Sequence, residues 1–237
     1  MAVYEIAGVR FEADISDPYT KQYIADYAVQ ADRAEEKLTV TEAELAEEQK
    51  LQPYAQRGVL YACALLRKLS ERMLYRYDTI LLHAAALLYE GKAYLFVAPS
   101  GTGKTTHMML WKKCLQDKMT ILNGDKPFLR MQDGEITVYG SPWQGKEGYG
   151  MNASAPLGGV FLLDRAAENS VRQATVPEAL QKLLFATVFP EEAEGRAKVL
   201  DFMGSLYRAV PVAMLYCNME DDAVYTVKKF IEAYKKQ

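Results

Sequence analysis

Ala98-Pro99-Ser100-Gly101-Thr102-Gly103-Lys104-Thr105-Thr106 is the stretch on which the reading of this 237-residue chain turns. It follows an apolar run at 92–98 that reads as a strand. After it, Met108, Trp111 and Leu115 recur on one helical face. Strand, glycine-rich loop and helix in that order are the setting of a phosphate-binding loop. Gly101 and Gly103 admit backbone angles that let successive N–H groups point at phosphate oxygens. The helix opening near Gly103 adds its positive end. Lys104 sets a compact ammonium against the β- and γ-phosphates, and the Thr105 hydroxyl suits magnesium. Ser100, Gly101, Thr102, Gly103, Lys104, Thr105 and Thr106 are therefore the candidate ATP-binding residues. The full G-x-x-x-x-G-K-[ST] pattern has glycine where this chain has Ala98, so the flanking strand and helix carry the assignment.

Working outward, residues 79–89 and 92–98 read as two apolar strands joined at Glu90-Gly91, with His83 inside the first. Downstream, a short buried strand at 120–123 ends in Asn123-Gly124-Asp125. A hairpin follows at 126–131 and 135–139 through Asp133-Gly134, then a glycine-rich loop at 140–150. Strands are expected at 160–163, 170–174 and 212–217. Helices are expected from the Thr175/Glu178 capping box to about 187, at 191–209 and at 221–236. Before the loop region, 3–13 reads as a hairpin turning at Gly8, and Asp17-Pro18 opens a helix toward Gln30. Thr41 and Glu44 cap a helix to about Leu51, stopped by Pro53, and a long core helix spans 56–76. This order predicts one α/β domain over 1–237 with a mixed sheet: a core at 77–237 and an N-terminal elaboration at 1–76.

Composition narrows the classes. Half of the residues are hydrophobic and a quarter charged, the balance of a globular protein. A net charge of −3 offers no global basic field, so no nucleic-acid partner is expected. No apolar run approaches the length that spans a bilayer, and the N-terminus lacks the pattern of a signal peptide, so no membrane partner is expected. Cys63, Cys114 and Cys217 have neither zinc-ligand nor CxxC spacing, which suits reduced thiols and a cytoplasmic location. Homo-oligomerisation stays open.

Phosphoryl transfer needs a carboxylate for the metal and a group to take the acceptor's proton. Asp125 is the first candidate, at the end of a strand expected to neighbour the loop strand; the alternative is a plain turn, since Asn, Gly and Asp all form turns. His83 is either a satisfied core residue or an active-site group. His107 reads as part of the first helical turn. Lys126 and Arg165 either contact phosphate or face solvent. The loop at 140–150 reads as a mobile flap in which Trp143, Lys146 and Tyr149 touch nucleotide or acceptor, or as a structural loop around one buried Trp.

Leu82-His83, the strand–turn–strand, Ser100–Thr105 and the acid after the next strand together resemble the catalytic domain of HPr kinase/phosphorylase, whose fold is shared with phosphoenolpyruvate carboxykinase. With Gly140-Ser141-Pro142-Trp143 included, the chain is most similar to HPr-kinase-related proteins, some of which phosphorylate a serine of a precursor peptide. The resemblance covers roughly 83–169. It implies ATP and Mg2+, with Lys104 on the β- and γ-phosphates, Thr105 on the metal, and Asp125 on the metal or the acceptor hydroxyl. It also implies that His83 is the active-site histidine. The acceptor it implies is a serine of a small protein or peptide. Three departures stand out. Gly124 replaces the first of two adjacent acids, Thr106 stands where bifunctional members have Glu, and the HPr-docking signature is absent. The expectation is an ATP- and Mg-dependent kinase other than one acting on HPr. The alternatives are an ATP-binding sensor that has lost catalysis, and a plain NTP hydrolase.

Overall fold

The computed structural model describes residues 2–15 and 17–235. Alternating apolar residues and two-residue turns with positive φ build most of its strands. Ala7-Gly8 joins β1 (Ala2–Ile6) to β2 (Val9–Ala13), and both turn residues have positive φ. The helix expected from Pro18 toward Gln30 is shorter: α1 (Pro18–Tyr23), capped by the Asp17 carboxylate, gives way to a single 3-10 turn. The reason is pairing, because β3 (Ala28–Val29) adds to β1 and β4 (Glu36–Leu38) adds to β2. The resulting four-stranded sheet has order β3-β1-β2-β4. Next come α2 (Glu42–Leu51), with the expected capping box at Thr41, and α3 (Arg57–Tyr77). Helix α3 packs Leu65, Leu69 and Met73 against this sheet.

The run at 79–89 is not one strand. It splits into β5 (Thr79–Leu81) and β6 (Ala84–Tyr89), which join different neighbours, and Leu82-His83 is the break. Strand β7 (Lys92–Val97) pairs antiparallel with β6 through a turn at Glu90-Gly91, and α4 (Lys104–Leu115) follows the loop. Strand β8 (Met119–Asn123) lies on the far side of β6, so it is not the neighbour of β7 that the sequence suggested. Strands β9 (Phe128–Gln132) and β10 (Glu135–Tyr139) form the Asp133-Gly134 hairpin.

Strand β11 (Ser154–Arg165) is longer than the expected 160–163, because Pro156 and the Gly158-Gly159 pair hid its first half. That first half pairs with β10. Its second half lies between β7 and β13 (Val212–Cys217), parallel to both. An edge strand, β12 (Ser170–Gln173), closes the sheet beside β13. The outcome is a curled nine-stranded mixed sheet.

Both faces of this sheet are covered. Helices α5 (Val176–Phe185) and α6 (Ala193–Ala209) lie on one face, over Leu95, Val97 and Leu162. Helices α4 and α7 (Asp222–Tyr234) lie on the other, over Phe96, Phe161 and Leu215. The expected end of the last helix at Lys236 falls outside the described residues. Alternate residues of β7 and β11 serve opposite layers, which is why both strands read as continuous apolar runs. Among the described residues no helix is long and apolar enough to cross a membrane.

Candidate functional site

Strands β7 and β11 end side by side where the 98–106 loop begins. Gly101 and Gly103 hold φ of +78° and +120°, a conformation that side chains disfavour, and Gly103 caps α4. A Cβ at either position would meet no neighbour, so φ alone requires glycine there. Ser100, Gly101 and Thr106 are exposed, while Thr105 is half-buried. Lys104 points inward and is buried. Its Nζ donates to the Ala98 carbonyl at 2.7 Å, and among the described residues it forms no ion pair. Burial lowers its pKa, against which Asp125 acts through space. A buried cation with no bonded anion costs free energy unless an anionic ligand completes it.

The loop carbonyls are held from outside. Arg165, at the end of β11, donates Nε to Thr102 O at 2.9 Å, and its other guanidinium nitrogen bonds Gly101 O. It thereby holds two carbonyls of the loop whose N–H groups matter.

His83 and Asp125 come together. His83 Nε2 donates to Asp125 Oδ1 at 2.9 Å, and the Lys126 ammonium pairs with Asp125 Oδ2. Burial pushes the Asp125 pKa up, but the bonds from His83 and Lys126 outweigh it and pull the value down to about 2. Both partners are placed by the break after β5. Leu82 N–H bonds Pro127 O, His83 N–H bonds Ala186 O, and Ala84 N–H bonds Asp125 O. Asn123 shapes the other half: its buried Oδ1 accepts from the N–H groups of Asp125 and Lys126 at 2.9 and 2.7 Å. The turn reading of Asn123-Gly124-Asp125 therefore holds. An Asx turn presents the carboxylate.

The loop at 140–150 is not built as a free flap. Trp143 is buried, donates to Ala62 O of α3, and meets the Tyr23 ring edge-on. Gly124 N–H bonds Tyr149 O at 2.8 Å, and Ser141 Oγ donates to Lys126 O at 2.6 Å. Trp143 is therefore an anchor of the N-terminal layer. Lys146 is exposed, and Tyr149 lies under the Lys112 ammonium at 5.5 Å. This packing also explains Gly124. A Cβ there would stand 2.9 Å from Gln144 O and 3.2 Å from Tyr149 O, so a second acid has no room.

Sequence reasoning missed three contributors. Tyr23 reaches the field of Asp125 from α1; burial first, then nearby charge, pushes its phenol up to about 12. Its pairing with Tyr19, stacked one helical turn away, was the available signal. His107 is buried on α4, accepts from Trp111 Nε1 at 3.0 Å, and has an Nδ1 with no partner among the described residues. Burial lowers its pKa to about 4, so it is neutral near pH 7. The i, i+4 spacing of His107 and Trp111 was legible, but the burial was not. Ala186, the acceptor of the His83 N–H, lies too far along the chain for any local pattern to link them.

Two cavities flank the loop. One of about 490 Å³ includes His83, Ala98, Ser100, Gln181, Lys182 and Phe185. The other, about 360 Å³, includes Thr102, Gly103, Thr106, His107, Ala166 and Asn218. They open on opposite faces of the sheet.

No protein-family model matches the chain. No curated protein matches it. Among solved structures it is similar to the Hpr(Ser) kinase/phosphatase from Coxiella burnetii, at 8% identity and a TM-score of 0.39, over 65% of this chain and 98% of that one. That is a distant structural likeness, and it carries no argument about activity.

Proposed function

We propose that the chain is an ATP- and magnesium-dependent kinase that transfers the γ-phosphate to a hydroxyl, with a serine of a small protein or peptide as acceptor. The observation that carries the reading is Lys104: a buried ammonium with no ion-pair partner among the described residues, inside a glycine loop at the N-terminus of α4 and in the field of Asp125. Loop N–H groups, helix end and ammonium together suit a polyphosphate. Thr105 and Asp125 are the residues that would hold magnesium, which when bound supplies neutralisation of the β- and γ-phosphate charge.

On the cavity side with His83, Asp125 holds the imidazole through Nε2 and leaves Nδ1 to take the acceptor's proton. As that proton leaves, the acceptor oxygen bonds the γ-phosphorus and the bond to the β–γ bridging oxygen breaks, releasing ADP. With its pKa at about 2, Asp125 is a weak base near neutrality; it stabilises the imidazolium instead. The second cavity, beyond Thr106, takes the nucleoside. Arg165 holds the loop from outside and keeps its N–H groups inward. The protein acts as a single domain in which the N-terminal layer braces the 140–150 loop against Asp125.

The decisive measurement pairs binding with transfer. Lys104→Ala is expected to lower affinity for both ATP and inorganic tripolyphosphate by roughly 10²-fold or more and to abolish label transfer from γ-labelled ATP. Wild-type protein that binds neither polyphosphate sinks the reading. Tight ATP binding with no transfer to any hydroxyl would place the chain among nucleotide sensors instead.

A further inference from the structure

The connection between α5 and α6 is tied to the site by its backbone and leaves its aromatic side chains in solvent. Ala186 O accepts the His83 N–H at 2.6 Å, Thr187 forms a bridge with Leu82, and Thr187 Oγ1 donates to Leu81 O at 2.7 Å. Ala186 and Thr187 thus turn inward. Phe185 remains 90% exposed, Val188 43% and Phe189 44%. A backbone-anchored segment that exposes three large apolar residues within five positions beside a reactive group marks a contact surface.

Cavities lie at both ends of this ridge. At one end is the cavity containing His83, Ser100 and Phe185. At the other is a cavity of about 390 Å³ that includes Val188, Phe189, Glu71, Glu191 and Glu192. Among the described residues none of those three carboxylates is in an ion pair. The one cation among the lining residues, Arg67, is paired with Glu48, and neighbouring Arg196 bonds the carbonyls of Pro190 and Glu191, so three carboxylates outweigh one committed guanidinium. The ridge therefore runs from an imidazole to unpaired negative charge.

We propose that this ridge and its two cavities dock an extended polypeptide acceptor. Its hydroxyl residue enters beside His83, an apolar or aromatic neighbour packs on Phe185 and Phe189, and a Lys or Arg further along meets Glu71, Glu191 and Glu192. The occupant is a polypeptide because a small polyol would use neither the apolar ridge nor the acidic cavity, and because the charge is complementary to a basic side chain. The identity of the reacting residue rests on the kinase reading; the docking surface does not.

The probe is a positional-scanning library of short serine-centred peptides with the full chain. Binding is read by fluorescence anisotropy without nucleotide, then label transfer is read with γ-labelled ATP. Selection of Phe, Leu or Met beside the serine and of Lys or Arg beyond it is expected. Phe185→Ser and Phe189→Ser should each raise the peptide Kd roughly five- to tenfold. Both replace exposed side chains, so the melting temperature and the KM for ATP should stay unchanged. Reversing charge with Glu191→Lys and Glu192→Lys should turn the basic preference into an acidic one. Selective binding with no transfer upholds the docking surface and fails the kinase reading. The proposal is overturned by peptides that bind without these preferences or do not bind at all. It is also overturned if the Phe185→Ser and Phe189→Ser variants bind peptide normally but lose a dimer in solution, since the ridge would then belong to a second copy of the chain.

Discussion

The two histidines of this chain mark opposite sides of the 98–106 loop, and their surroundings are built in opposite ways. His83 is half-exposed and bonded to a carboxylate, and residues 82–84 are held by backbone contacts from two separate segments, 125–127 and Ala186. His107 is buried and neutral near pH 7, and among the described residues its side chain bonds only to the indole of Trp111, on its own helix. An imidazole paired with a carboxylate beside open space can move a proton. A desolvated one on an aromatic wall, next to Phe96 at 4.8 Å between ring centroids, can only shape a cavity. On the proposed kinase reading, the sheet would separate two tasks: proton handling on the α5 face, recognition on the α4 face.

The sharpest way to break this contrast is at Asp125. Asp125→Asn keeps the size of the side chain but removes the charge that stabilises a protonated His83. We expect kcat to fall about 10²- to 10⁴-fold, the range of general acid–base contributions, while tripolyphosphate still binds. A variant that keeps full turnover would remove the proton-handling role from this side of the loop. An equal loss in a His83→Ala variant, with no further loss in the double variant, would show that the pair acts as a unit.

The second test asks whether the His83 side can accept another acid. In Gly124→Asp the new Cβ would press on the carbonyls of Gln144 and Tyr149, and backbone cannot yield as a side-chain tip can. A destabilisation of about 1–3 kcal/mol, read from chemical denaturation, is expected. Activity should fall with it, because the displaced loop also braces Asp125: a Cβ on Gly145 would stand 3.2 Å from the Asp125 Cβ. Gain of turnover in Gly124→Asp would mean that the loop yields and that one missing carboxylate limits the native chain.

Much of this layout was legible in the sequence where the cause is local. The Thr41 and Thr175 capping boxes, the Glu90-Gly91 and Asp133-Gly134 turns, and the glycine loop before α4 each follow from neighbouring residues alone. Asp125 was legible for the same reason, as the acid of an Asx turn closing an apolar strand. The break at Leu82-His83 was not, because 79–89 is continuously apolar and the interruption comes from Pro127, Asp125 and Ala186, all distant in sequence. In the sequence Trp143 stays open between a ligand contact and a buried anchor for a related reason: only the packing of α3 beneath it decides for the anchor. Burial of His107 likewise depends on β7 and α4 closing over it, which no helical spacing encodes.

The smallest expected effect falls on the α4 face and tests the other half of the contrast. Ala166, half-buried at the end of β11, is among the residues of the cavity with Thr106, His107 and Asn218. Ala166→Trp would fill part of that space while leaving Lys104 and the His83–Asp125 pair, which lie outside this cavity, in place. If the nucleoside sits there, the KM for ATP should rise about tenfold, close to 1.4 kcal/mol, while kcat at saturation holds. Affinity for tripolyphosphate, which has no base to place, should not move. A matched loss for ATP and tripolyphosphate would mean that the substitution disturbs the loop itself. An unchanged KM for ATP would put the nucleoside elsewhere and leave His107 a core residue, its unpartnered Nδ1 serving packing alone.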